Sequence, residues 1–184
     1  MELESGDSWA VEVSDNFEGL RAPFVVGRGV TVPTGGYDFA QVRGYYTLGP
    51  QRKISGTVIA GSGSFYGGTL NEITWRGRLE FSPRLYAEPT ISWNHIDIPY
   101  GRTDTNIVGT RLTYTFNPRM FVGALIQYQS LATSVSTNLR FRWEFQPGSD
   151  LFVVYSDGRS TLTRGIPDIE NRSFVVKATK LFRF

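Results

Sequence analysis

The sequence predicts an all-β protein, an antiparallel up-and-down transmembrane β-barrel of about ten strands or the C-terminal part of a larger barrel. Three observations support this prediction. Apolar and polar residues alternate in segment after segment of the 184-residue chain, as in strands with one apolar and one polar face. Short turns alternate with longer links along the chain. Aromatic residues, 14% of the total, recur near the ends of the predicted strands.

The alternation is clearest in two segments. Over 72–81 the odd positions are Ile, Trp, Gly, Leu and Phe, and the even positions are Glu, Thr, Arg, Arg and Glu. Over 138–146 Leu, Phe, Trp and Phe alternate with Asn, Arg, Arg, Glu and Gln. A helix would mix these two sets, so both segments are predicted strands. Weaker alternation predicts strands at 8–14, 37–48, 54–66, 85–93, 107–116, 120–130, 151–155 and 172–184.

The links between these strands differ in length. Short links with Pro or Gly occur at 49–52, 82–84, 117–119 and 147–150. Longer links are predicted at 15–36, 67–71, 96–105, 131–137 and 157–171. Outer-membrane barrels place short links in the periplasm and long links outside. We therefore expect one domain over 1–184, with 15–36 as the first extracellular loop and 157–171 as the last.

Composition excludes several other classes. There is no cysteine, hence no disulfide framework or thiolate site. The net charge is only +2 and the basic residues are scattered, so nucleic acid is not an expected partner. No apolar stretch approaches the roughly 20 residues of a membrane-spanning helix. The acidic N-terminus lacks the features of a secretory signal, and we expect the chain to be a C-terminal fragment of a longer protein.

Aromatic residues on the outward faces of the predicted strands are expected to form two belts at the membrane interfaces. One belt comprises Tyr46, Phe81, Phe116, Phe145 and Phe184, and the other Tyr66, Trp93, Tyr128 and Phe174. The final alternating segment, which ends in Phe182 and Phe184, resembles the terminal strand of outer-membrane barrels. That resemblance implies recognition by the barrel assembly machinery as an insertion signal, with membrane lipid as the second partner.

Six segments carry a wider resemblance. They are SDNFE at 14–18, APF at 22–24, FYGG at 65–68, NLRFRW at 138–143, PGSDLFVVY at 147–155 and RSFVVK at 172–177. They resemble the C-terminal region of large bacterial envelope proteins that pair a carbohydrate-binding family 9-like β-sandwich with a barrel of unknown function. The resemblance implies an outer-membrane location. This chain contains no sandwich, so none of its residues is assigned to carbohydrate binding.

Catalytic, metal and cofactor sites are not expected. His95 is the only histidine, and it shares strand parity with Trp93, whereas Ser92 and Asn94 point to the other face. A Ser-His-carboxylate or Ser-His-Asn set is therefore not expected, and a transition-metal site lacks ligands. The protein is predicted not to be an enzyme.

The inward charges are the most informative polar set. Arg43, Arg76, Arg78, Glu80, Glu88, Arg111, Arg140, Arg142, Glu144 and Lys177 are predicted to face the lumen. In a small closed barrel they would interlock as a packed polar core, a structural envelope role. In a wider barrel they would line a passive, porin-like path for polar or anionic solutes. The alternative class is a soluble β-sandwich or lipocalin-like binding module, in which the apolar faces meet inside.

Overall fold

A computed structural model describes residues 3–162 and 167–182. Those residues form twelve strands. They are β1 (Ser8–Leu20), β2 (Phe24–Gly27), β3 (Val30–Val32), β4 (Gly35–Leu48), β5 (Ile54–Phe65), β6 (Gly68–Ser82), β7 (Leu85–Ile98), β8 (Gly101–Asn117), β9 (Met120–Gln129), β10 (Ser134–Gln146), β11 (Ser149–Ser160) and β12 (Asp168–Thr179). No helix in the described part of the chain is long and apolar enough to cross a membrane.

Ten of these strands form one antiparallel sheet in the order β1-β4-β5-β6-β7-β8-β9-β10-β11-β12. The small strands β2 and β3 pair only with each other. The prediction of an all-β antiparallel chain with ten principal strands is confirmed. The hydrogen-bonded sheet is not closed on itself among the described residues, so the barrel itself stays a prediction.

The links differ from the expected lengths on one side. β5 and β6 are joined by Tyr66 and Gly67, and β7 and β8 by Pro99 and Tyr100, where 67–71 and 96–105 were expected as long links. These expectations are wrong because the strands continue as hairpins to two-residue turns. Within 15–36, β1 continues to Leu20, the β2–β3 hairpin follows and β4 begins at Gly35. The expected last loop, 157–171, is also too long, because β11 continues to Ser160 and β12 begins at Asp168.

The chain divides into two compact units. Unit 1 comprises 1–77, 90–108 and 129–131, and unit 2 comprises 78–89, 109–128 and 132–184. Unit 1 contains a small apolar core that includes Val26, Val30 and Val32 of the hairpin, Phe39 and Tyr66. Val32 is fully buried there. The hairpin was not predicted, since its strands have only four and three residues.

Candidate functional site

Unit 2 carries a polar face with a cavity of about 470 Å³. Its lining includes Glu88 of β7, Arg111 of β8, Phe121 of β9, and Asn138 and Arg140 of β10. Alternate residues of a strand point to the same side of a sheet, so residues lining one cavity identify that face. Three strands, β7, β8 and β10, therefore place the predicted lumen residues Glu88, Arg111 and Arg140 on a common surface.

A second cavity, of about 370 Å³, continues this face towards the sheet edge. Asn138 and Arg140 line it too, together with Phe152, Val154, Val175 and Lys177. The strand register explains this grouping. Arg142 lies opposite Phe152, which lies opposite Lys177. Arg140 and Lys177, predicted from separate strands, thus line one cavity.

The charges of this face are only partly paired. Arg78 lies 3.8 Å from Glu88, and Arg142 Nη2 lies 3.1 Å from Asp150 Oδ1. Arg111, Arg140 and Lys177 have no carboxylate within salt-bridge distance among residues 3–162 and 167–182. Both cavities therefore carry an excess of positive charge.

Three arginines of this face form cation–π contacts with aromatic rings. The guanidinium carbon of Arg78 lies 3.8 Å from the centroid of Tyr86. Those of Arg140 and Arg142 lie 5.3 Å and 5.5 Å from the centroid of Phe152. Such cation–π contacts orient the guanidinium groups while leaving their edges available as donors.

The polar face of unit 1 is different, because its polar groups bond to each other. Arg43 of β4 pairs with Glu72 of β6, Thr74 Oγ1 lies 2.8 Å from Ser92 Oγ, and Asn94 Nδ2 donates to Thr105 Oγ1 at 3.2 Å. Arg76 shares the strand parity of Glu72 and Thr74, and it is exposed.

Two predicted acidic lumen residues do not line these cavities. Glu80 is exposed on β6 and shares the parity of Arg78. Glu144 lies opposite Asp150 in the register, and its Oε1 accepts the Gly148 N–H at 3.3 Å. The alternation places both on the polar face, near the short turns.

The β2–β3 hairpin covers one end of the polar face of unit 1. Phe39 alternates with Gln41 and Arg43 along β4, so its ring lies on the same face as the Arg43–Glu72 pair. The buried valines of the hairpin pack in one cluster with this ring. The segment expected as the first extracellular loop therefore folds onto the polar face, which sequence periodicity alone did not indicate.

Tyr66 does not lie in the exposed belt in which it was expected. It is only 3% exposed, and its hydroxyl donates to Glu18 Oε2 at 2.8 Å. The backbone at Tyr66 has φ +45°, a conformation that breaks strand alternation and turns the ring into the core. Burial and the Glu18 hydrogen bond raise the pKa of Tyr66 to about 12.

The opposite face of unit 1 exposes large apolar side chains. Glu72, Thr74 and Ser92 define the polar face, so residues of the other parity project away from it. Val13 is 75% exposed and Phe17 71% exposed. The remaining members are Trp9, Val11, Val42, Tyr46, Val58, Ile73, Ile91, Trp93 and Val108. Two of the predicted belt residues, Tyr46 and Trp93, belong to this set.

Unit 2 shows the same arrangement. Leu139 and Trp143, which alternate with Arg140 and Arg142, are 41% and 45% exposed. The other large exposed apolar residues on this face are Phe81, Leu112, Tyr114, Phe116, Ile126, Tyr128, Phe145, Phe174 and Val176. Five of the six predicted belt residues of this unit are among them, and the sixth, Phe184, lies outside the described residues. Each unit, taken by itself, thus has a polar face and an exposed apolar face opposite to it.

His95 contacts Asp104 and not a serine. Its Nδ1 lies 2.7 Å from Asp104 Oδ1, and its ring stacks on Trp93 with centroids 5.9 Å apart. Ser92 instead bonds to Thr74 on the other face. In the part of the chain that the structure describes, this His–Asp pair has no hydrogen bond to a serine or threonine hydroxyl.

Asp7 links the N-terminal segment to the first short turn by hydrogen bonds. Asp7 Oδ1 accepts the Gly49 N–H at 2.8 Å, and Oδ2 accepts from Tyr46 at 3.1 Å and from Arg52 Nη2 at 2.8 Å. These contacts, the Gly49 bond foremost, hold the pKa of Asp7 below its ordinary value.

The predicted C-terminal insertion signal is described only in part. β12 ends at Thr179, before Phe182, which is 64% exposed. Phe184 lies outside the described residues.

No protein-family model matches this chain, and no curated protein or solved structure was found to be similar to it.

Proposed function

We propose that this chain is an integral β-barrel of the bacterial outer membrane that gives small polar solutes a passive route along its polar face. The observation that carries the proposal is the exposed apolar face of both units. In water, such a surface would promote aggregation, and contiguous exposed apolar patches are rare on soluble monomers. Lipid contact removes that cost at about 25 cal/mol per Å² of buried apolar surface.

Strand length supports the same proposal. The ten principal strands range from 10 residues in β9 to 17 in β8. A tilted strand needs about 9–11 residues to cross the hydrocarbon core. Every principal strand is therefore long enough to span a bilayer, and the longest would extend beyond it.

Barrel closure is part of the proposal. β1 and β12 are the edge strands of the sheet, and open edges are not tolerated in lipid because their backbone groups lack partners. An even number of antiparallel strands lets the first and last pair antiparallel, as in bacterial barrels. In a closed ten-stranded barrel, a scan of single cysteines along β1 combined with single cysteines along β12 should contain pairs that form an intramolecular disulfide. A larger barrel with additional strands would leave these positions unlinked.

A structural envelope role is the second candidate. The Arg43–Glu72, Arg78–Glu88 and Arg142–Asp150 pairs favour it, because cross-strand ion pairs are what a packed polar core requires. Arg111, Arg140 and Lys177, which have no ion-pair partner among the described residues, favour the passive route. The family resemblance of the sequence is compatible with either role and remains a proposal.

Reconstitution separates these possibilities. The full chain, refolded with phospholipid vesicles, should float with them and resist alkaline extraction. Recovery as a soluble monomer without detergent would reject the membrane proposal in favour of a soluble binding module. In a planar bilayer, stepwise conductance that favours anions would support the passive route. Stable insertion without conductance would instead establish the structural role.

A further inference from the structure

The two cavities of unit 2 share Asn138 and Arg140. We propose that Arg140 and Lys177, with Asn138 between the cavities, form a binding site for a small soluble anion that carries a phosphate or carboxylate group. This inference rests on the proposed function, since it names the class of solute that the polar face would take.

The first argument for this site is its uncompensated positive charge. Arg140 and Lys177 lie in one cavity whose other lining residues are Asn138, Phe152, Val154 and Val175, with no carboxylate among them. Neither cation has a salt-bridge partner in the described part of the chain. Two uncompensated cations beside each other repel, and an anion between them would remove this repulsion.

The geometry carries the second step. Phe152 lies between Arg142 and Lys177 in the register, and its ring supports the Arg140 guanidinium. Arg142 is engaged by Asp150 at 3.1 Å, so Arg140 is left as the free planar donor. Guanidinium matches phosphate and carboxylate oxygens in pairs, and the flexible lysine adds a point charge. Val154 and Val175 complete the lining of this cavity with apolar surface.

Equilibrium dialysis of the full chain in detergent micelles against labelled inorganic phosphate, at low ionic strength, tests the site. We expect saturable binding that Arg140→Gln and Lys177→Gln each weaken about tenfold or more, the loss of one charge-assisted hydrogen bond. Arg76→Gln is the matched control, because it removes the same charge from the polar face outside both cavities. It should change the affinity less than about twofold.

Three results would overturn the site: no saturable phosphate binding, an equal loss with Arg76→Gln, or preference for short-chain phosphatidylglycerol over phosphate, which would indicate a lipid headgroup. Circular dichroism and trypsin resistance check that each variant is folded, and Lys177→Gln, at an exposed position of β12, is the variant least able to disturb folding. Vesicle flotation reports on the barrel independently of dialysis. Flotation without phosphate binding would reject only the anion site, whereas binding without flotation would reject only the barrel.

Discussion

The side chains of Arg43 and Glu72 form an ion pair that passes over Gly61, on the strand between them. A Cβ atom at Gly61 would lie 2.6 Å from Glu72 Oε1 and 3.1 Å from Arg43 Cγ. The absence of a side chain at Gly61 is therefore what allows β4 and β6 to be linked across β5. Glycine is otherwise unfavourable in a strand, so this contact gives a physical reason for it.

Replacing Gly61 with alanine should displace this ion pair. Gly44→Ala is the matched control, since a Cβ at Gly44 on the other face meets nothing nearer than Ala60 O at 3.9 Å. Relative to Gly44→Ala, we expect Gly61→Ala to lower the free energy of unfolding by about 1 kcal/mol. Urea titration in micelles measures both. The difference should vanish when Glu72 is also replaced by alanine, and its persistence would refute the steric explanation.

The apolar core around the β2–β3 hairpin predicts that Val32→Ala destabilises the hairpin. Removing two fully buried methyl groups should cost about 2 kcal/mol and open the hairpin more often. Trypsin cleavage at Arg28, in the turn between β2 and β3, should accelerate about tenfold or more. Thr31→Ala, on the exposed side of the same strand, should leave the rate unchanged. Equal rates for both variants would show that the hairpin does not depend on this core.

The Tyr66 phenol predicts instability at high pH. Its pKa is raised to about 12, so the folded state favours the neutral form. The stabilisation is fully present below the ordinary tyrosine pKa of about 10 and is lost as the pH rises through about 12. Tyr66→Phe should remove this part of the alkaline dependence, and at neutral pH it should cost about 0.5–1.5 kcal/mol. Unfolding midpoints measured from pH 8 to 12 would contradict the account if the two proteins lose stability in parallel.

The hydrogen bonds of Asp7 predict that the stability of the folded protein falls at low pH. Its pKa is lowered mainly by the Gly49 N–H, so its contribution is present above the ordinary pKa of about 3.9 and is lost as the pH falls through the lower folded value. Asp7→Asn should be less stable than the parent protein at pH 7 and should converge with it in acid. Glu4→Gln serves as the control for removing one exposed carboxylate. Urea midpoints of both proteins at several pH values below 7 test this. A difference between the two midpoints that stays constant with pH would show that ionisation of Asp7 is not its cause.

The sequence predicted the principal strands because alternation with period two depends only on which face each residue occupies. The faces of Arg140 and Trp143 followed directly from it. Tyr66 could not be assigned in this way, since its positive φ lies at a turn and reverses the direction of its side chain. The signal available was the Tyr66-Gly67-Gly68 sequence, whose glycines mark a tight turn.

The cavities and the hairpin needed tertiary information. Arg140 and Lys177 lie 37 positions apart, and only the register of β10, β11 and β12 brings them to one cavity. The hairpin strands β2 and β3 are too short for periodicity to be measured. The lengths of the links at 66–67 and 99–100 were misjudged for a related reason, because polar residues in strand extensions resemble loops in composition.

Site-directed spin labelling tests the central claim, that the apolar face contacts lipid and the polar face does not. The chain has no cysteine, so single cysteines can be introduced at each position of 138–145 and labelled in vesicles. We predict that labels at 139, 141, 143 and 145 are accessible to oxygen dissolved in lipid, and that labels at 138, 140, 142 and 144 are accessible to a water-soluble nickel chelate. Oxygen accessibility at the even positions and nickel accessibility at the odd positions would contradict the account. The same nickel accessibility at all eight positions would also contradict it.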